Sequence, residues 1–166
     1  DADVVVCRAG ATTLAEIAAG AGGIYTTHMR DEHDDVLKSL DETFETGARA
    51  KLPVVISHHK CAGVKNFGRT RDTLEKIDKA RQTQEVGLDV YPYVAGSSVL
   101  LPGLFEEGAR VLITWSKPHP EMAGRDLDGI AAEWGSDIYA AADRLQPAGA
   151  VYFMMDEEDV RRILAY

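Results

Sequence analysis

Two histidines, His28 and His58, each follow a short apolar, β-prone run: Ile24-Tyr25-Thr26-Thr27 before the first and Val54-Val55-Ile56-Ser57 before the second. A parallel α/β sheet or barrel presents its chemistry at the carboxyl ends of its strands, so an imidazole at that edge is placed to bind a metal. Asp31 to Lys51 between them has the pattern of an amphipathic helix, which makes the unit β-α-β with both imidazoles on one edge. Zinc suits such a pair, because it takes imidazole nitrogen and keeps an open position when it is catalytic. The competing reading is a pair of strand-end histidines bonded to polar neighbours.

Adjacent strand residues face opposite sides, so only one of His58 and His59 can point into the site, and the pattern selects His58. Lys60 shares the His58 face. It would hold an anionic substrate near the metal, or else is a solvated residue where the strand ends. Tyr91, Ser97 and Arg110 carry donors able to extend that anion site, Arg as a two-pronged fork for a carboxylate, although spacing alone does not single them out. Elsewhere structural roles are expected: Tyr25 and Tyr93 as packing residues, Met154 and Met155 as core filler, His33 and His119 as exposed residues, and the acids Asp31-Glu32 and Asp156 to Asp159 as complements to helix N-termini.

The elements that must position these residues alternate. Val4-Val5-Val6 reads as a strand, followed by a helix capped at Thr12 or Thr13 with Glu16 at capping-box spacing from Thr13. Then come a strand over 24–28, the helix with Val36, Leu37, Leu40 and Phe44 on one face, a strand opened by Pro53, a helix over Thr73 to Gln84, and a strand over Val86 to Tyr93. The order calls for a parallel sheet with right-handed crossovers. From Ala95 to Gln146 the alternation breaks: Gly96-Ser97-Ser98 reads as a loop, Arg110 to Trp115 as a strand, and Gly129 to Trp134 as part of a helix. Alternation resumes with a strand over Ala150 to Met154 and a helix over Glu157 to Ala165 capped by Asp156. The expected fold class is α/β, a partial TIM-like (β/α) barrel of parallel strands formed by residues 1–94 and 147–166, with an α+β subdomain inserted at 95–146.

The 166 residues suffice for one domain but not for a complete (β/α)₈ barrel, which needs roughly 250. A net charge of −9 with no Lys/Arg cluster argues against a nucleic-acid partner. No run is long and apolar enough for a membrane span, and the acidic start lacks the basic region of a signal peptide. With two cysteines, Cys7 and Cys61, no disulfide framework is indicated, and each reads as a small buried residue rather than a ligand. A soluble, cytoplasmic chain is expected, opening directly on a strand like a piece of something longer. Open sheet edges would favour homo-oligomers.

Four segments, GIYTTHMRDE at 23–32, PVVISHHK at 53–60, DVYPYVAGS at 89–97 and AGAVYFMMDE at 148–157, resemble the N-acyl-D-amino-acid deacylases (D-aminoacylases) of the amidohydrolase superfamily, from about Gly22 to the last residue. The resemblance implies a zinc-dependent hydrolase on a distorted (β/α)₈ barrel that cleaves the amide of small N-acyl-D-amino acids. It implies His28 and His58 as zinc ligands, and Lys60, Tyr91, Ser97 and Arg110 as contacts for the substrate carboxylate. Members of that family also use a His-x-His pair, a Cys ligand after another strand and a late general-base Asp. None of these has a counterpart here, so no catalytic residue is assigned and little turnover is expected from this polypeptide alone. A nonenzymatic domain with a vestigial zinc or anion site is the second reading. The third is a nucleotide-sugar transferase fragment, since DADVVVCRAGATTLAEI at 1–17 resembles a segment of the glycosyltransferase that forms lipid II, with Glu16 toward the ribose.

Overall fold

A computed structural model describes residues 22–105 and 108–166. The strand and capped helix expected within residues 1–19, with Cys7 and Glu16, lie outside the described residues. The described residues divide into two compact units: one takes 22–61, 68–92 and 158–166, and the other 62–67, 93–105 and 108–157.

The first unit is built on β-α-β crossovers. Strands β1 (Tyr25–Thr27), β2 (Val54–Ile56) and β3 (Val86–Leu88) form a parallel sheet in the order β1-β2-β3, with Thr27 opposite Ile56 and Ile56 opposite Leu88. Helix α1 (Val36–Ala50) joins β1 to β2, and α2 (Thr70–Arg81) joins β2 to β3. The predicted apolar face of α1 is the face that packs: Val36 and Leu40 are fully buried, and Leu37 and Phe44 pack against the same cluster as Val54, Ile56, Leu74, Ile77 and Val86. Gly47 lies so close to Val54 that a Cβ there would run into the valine methyl, which sets how near α1 can approach β2.

Of the element boundaries that differ from the expected ones, three shifts have a visible cause. Helix α1 starts at Val36 rather than Asp31 because the Asp31 carboxylate accepts from the backbone N–H of His33 and Asp35 (2.8 and 3.0 Å), holding 31–35 as a turn. Helix α2 starts at Thr70, three residues early, because the buried Asp159 carboxylate accepts from Gly68 N–H (2.7 Å) and from the Thr70 hydroxyl, supplying an anion to a helix N-terminus from far along the sequence. Strand β3 stops at Leu88 because Asp89 turns its hydrogen bonds onto the loop after β2. Tyr93, expected to pack, is 66% exposed beyond that strand end, whereas Tyr25 does pack against the core.

The second unit holds an antiparallel sheet, ordered β4-β6-β5, of β4 (Ala95–Val99), β5 (Arg110–Ser116) and β6 (Ala148–Phe153). Two corrections follow. Gly96-Ser97-Ser98 is an edge strand rather than a loop, because its backbone pairs with β6 whatever its side chains. The segment expected to resume a parallel alternation is instead the central strand of this sheet, antiparallel to both neighbours. Helices α3 (Leu127–Trp134) and α4 (Ile138–Leu145) contribute Leu127, Ile130, Ala141 and Leu145 to a core shared with Val111, Ile113 and Tyr152. Helix α4 was not expected; Asp137 caps it by accepting from Ala140 N–H at 2.7 Å. Met154 packs against this core and Met155 is buried, as filler residues should be. A final helix, α5 (Glu157–Leu164), belongs from Glu158 onward to the first unit and carries Asp159. Among the described residues no helix is long and apolar enough to cross a membrane.

Candidate metal centre

The parallel register of β1 and β2 brings the residues after Thr27 and Ile56 out at one edge, and Ser57 N–H bonds Thr27 O at 3.0 Å to keep the two chains together past the last ladder pair. His28 follows directly. His58 comes one residue later, in a left-handed backbone conformation with φ 41°, which a non-glycine residue adopts at a cost of roughly 1–2 kcal/mol. Asp89 sustains that turn: its carboxylate accepts from His58 N–H (2.7 Å), its carbonyl from His59 N–H (2.8 Å), and its own N–H bonds Ile56 O (3.0 Å).

The turn aims the two imidazoles at each other. His28 Nδ1 lies 3.0 Å from His58 Nε2, with ring centroids 4.7 Å apart and planes inclined by 63°. Glu32 is the third member. Its Oε1 is 3.0 Å from His58 Nδ1 and 3.9 Å from His28 Nδ1, and the potential ligand atoms of His28, Glu32 and His58 all lie within 4.8 Å of one another. Two nitrogens bound to one tetrahedral zinc at about 2.0–2.1 Å stand roughly 3.3 Å apart, so the observed separation and the imidazole-carboxylate chemistry both fit that ion.

Lys60 is buried, not solvated. Its ammonium donates to Glu32 Oε1 (2.7 Å) and His58 O (2.9 Å), and sits 2.8 Å from His58 Nδ1 and 5.6 Å from the Tyr91 ring centroid. Burial pulls its pKa down, while Glu32 and then Asp89 act in the other direction. Tyr91, with its ring 6.5 Å from that of His58, has its phenol pushed up to about 12, by burial first and then by the Glu32 charge. Ser97 and Arg110 belong to the second unit. Ser97 is exposed on β4 opposite Val151, and Arg110 donates to Asp126 (3.0 Å) with its guanidinium 4.4 Å over the Phe153 ring.

Glu32 escaped the sequence reading, which placed it with Asp31 as helix-start charge; it is in fact buried in the loop ahead of α1. Its four-residue spacing from His28 is the one signal available, and that spacing means a shared face only in a helix, which this stretch is not. His33 and His119 are half-buried rather than exposed, and His119 Nδ1 lies 3.1 Å from Glu121 Oε1. Cys61 behaves as expected of a small core residue: free, buried, and with its thiol pushed up to about 12 by burial.

His59 faces away from the cluster and is fully buried. The Thr73 hydroxyl donates to Thr70 O and so accepts from His59 Nε2–H (2.9 Å), leaving Nδ1 unpartnered and the ring neutral. Burial, with Lys60 nearby, lowers its pKa to about 4. An unfolded histidine near 6.5 binds more protons than this one between those values, so stability falls as pH drops from about 6.5 and levels off below about 4, by up to about 3 kcal/mol in all. Denaturant titrations across that range should show the loss in the parent protein and a shallower slope in His59→Phe.

No protein-family model matches the chain. It is 56% identical over 145 residues to a D-aminoacylase of Alcaligenes xylosoxydans xylosoxydans, a match covering 87% of this chain and 30% of that protein. Among solved structures it superposes with a TM-score of 0.84 on a D-aminoacylase described as defining a novel subset of amidohydrolases, at 51% identity over 94% of this chain and 34% of that one. The N-acyl-D-glutamate deacylase of Bordetella bronchiseptica, solved with zinc and a phosphonate mimic of the tetrahedral intermediate, gives a TM-score of 0.87 at 46% identity, covering 95% and 34% of the two chains. These matches lend nothing to the nucleotide-sugar reading of residues 1–19. The chain spans about a third of the length of these relatives. Over that third, this α/β chain with its three-stranded parallel sheet is a homologue of the D-aminoacylases and N-acyl-D-glutamate deacylases.

Proposed function

We propose that this chain forms part of a zinc-dependent hydrolase that removes the acyl group from N-acyl-D-amino acids. The observation that carries the reading is the convergence of His28 Nδ1 and His58 Nε2 to 3.0 Å beside a buried carboxylate, in a chain homologous to deacylases of that substrate class. The parallel β1-β2-β3 sheet with its helical crossovers is taken as a portion of a TIM-like barrel; of the residues 1–94 and 147–166 expected to form it, Ala148–Phe153 instead joins the antiparallel sheet of the second unit, to which the stretch 95–146 belongs as an insertion.

His28 and His58 would hold the zinc. When bound, zinc would supply Lewis-acid polarisation of the amide carbonyl and a lowered pKa for water. Lys60 and Tyr91 would bind and orient the substrate carboxylate: the first by charge from a fixed, buried ammonium, the second by a phenol that stays protonated and able to donate across the neutral range. Ser97 and Arg110 are the further candidates for that carboxylate. The Asp base expected of the family has no assigned counterpart here, so this segment alone should turn over little substrate.

The assay therefore uses the whole protein that carries the segment, with N-acetyl-D-methionine and its L-enantiomer. Hydrolysis of the D form, abolished by chelation and restored by zinc, is expected. Turnover indifferent to chelation, or equal for both enantiomers, contradicts the proposal. Stoichiometric zinc without any hydrolysis would favour the nonenzymatic remnant.

A further inference from the structure

Three polar groups meet at one point: Glu32 Oε1, Lys60 Nζ and His58 Nδ1 are 2.7, 2.8 and 3.0 Å apart pairwise. Their protons can be arranged in two ways. In one, His58 carries its proton on Nδ1 and donates it to Glu32, and the Nε2 lone pair faces His28. In the other, the Lys60 ammonium donates to a bare Nδ1, the ring proton sits on Nε2, and no lone pair remains there for a metal.

We propose that Glu32 is a positioning residue for the metal site: its carboxylate holds the His58 proton on Nδ1 and so keeps Nε2 open as a ligand. The inference rests on the zinc reading above and deepens it. A carboxylate accepting from imidazole N–H forms a charge-assisted bond, stronger than a neutral one, and it also screens that N–H from the ammonium beside it. Without the carboxylate, the cation 2.8 Å from Nδ1 would be its remaining polar partner and would draw the lone pair to that nitrogen. The loop is built to deliver Glu32. Asp31 ties the turn through His33 and Asp35, the Ser39 hydroxyl takes the Asp31 N–H at 3.0 Å, and the Glu32 side chain is only 10% exposed. The same assignment frees Lys60. With Glu32 and His58 O each taking one ammonium hydrogen, the third is left for a substrate carboxylate.

Long-range ¹⁵N correlation spectra of metal-free protein read the His58 tautomer directly, and competition with a chromophoric chelator reads zinc affinity. The parent protein should show His58 with its proton on Nδ1. Glu32→Ala should move the proton to Nε2 and weaken zinc binding about 10–100-fold. Glu32→Gln, whose amide oxygen can still accept, should keep the parent tautomer and stay within a few-fold of its affinity. An Nε2–H tautomer in the parent overturns the proposal even if Glu32→Ala does not fold. So does an unchanged tautomer in Glu32→Ala, or a Glu32→Gln variant as impaired as Glu32→Ala, which would make Glu32 a direct ligand. Unaltered zinc affinity in His28→Ala and His58→Ala would overturn the metal reading alone, because the tautomer still judges Glu32 separately.

Discussion

Replacing either His28 or His58 by alanine should weaken zinc binding by more than about 100-fold, beyond what loss of an outer-shell partner usually costs. The reason is geometric. The two ring nitrogens face each other at 3.0 Å, so each variant removes one of two imidazoles and leaves the other with no equivalent donor in the arrangement described. Chelator competition provides the number. A second substitution at position 58 separates ligand loss from misfolding. Because His58 sits at φ 41°, His58→Gly relieves a strain that His58→Ala keeps, and it should be the more stable by about 1 kcal/mol while binding zinc just as poorly. If the glycine variant regained affinity, the imidazole would not be the ligand.

Lys60→Met should destabilise the fold by about 3–5 kcal/mol, because it leaves the Glu32 carboxylate buried without its cation. The side chains of the pair are 9% and 10% exposed and 2.7 Å apart, so the discount for solvent-screened surface pairs, worth about 1 kcal/mol or less, does not apply. The pH dependence has a definite sign. A buried carboxyl left without a cation is far less costly neutral than ionised, so the variant's deficit should be smallest in acid and grow toward neutrality. Adding Glu32→Leu removes the orphaned charge and should recover most of the loss. Urea titrations of the single and double variants at pH 4.5 and 7 check both points; a loss under 1 kcal/mol at both pH values would mean the pair is effectively solvated.

The histidine pair was legible in the sequence because a β-α-β unit has little freedom: parallel neighbours share an edge, and residues that follow their last ladder pair emerge together. The choice of His58 over His59 rested on a two-residue period that ends with β2 at Ile56; the structure does send His59 to the other side, against Thr73, but a left-handed turn at His58 held by Asp89 aims the ring. The α1 face was legible for the corresponding reason, its period of 3.6. Glu32 was not, because its place depends on a turn made by the Asp31 carboxylate rather than on any repeat. The start of α2 was hidden because the Asp159 carboxylate that fixes it is about ninety residues away. The β4 strand was missed because Gly96-Ser97-Ser98 has turn composition, and only pairing with β6 makes it a strand. The direction of β6 was equally hidden, since an apolar run such as Ala150 to Phe153 suits a central strand of either sheet type.

The central claim is that two imidazoles share one cation. Diffraction from zinc-loaded protein at the zinc absorption edge tests it without reference to catalysis. One anomalous peak within about 2.0–2.1 Å of both His28 Nδ1 and His58 Nε2 is the predicted result. A peak elsewhere, or none while the two rings keep their 3.0 Å approach, would contradict it.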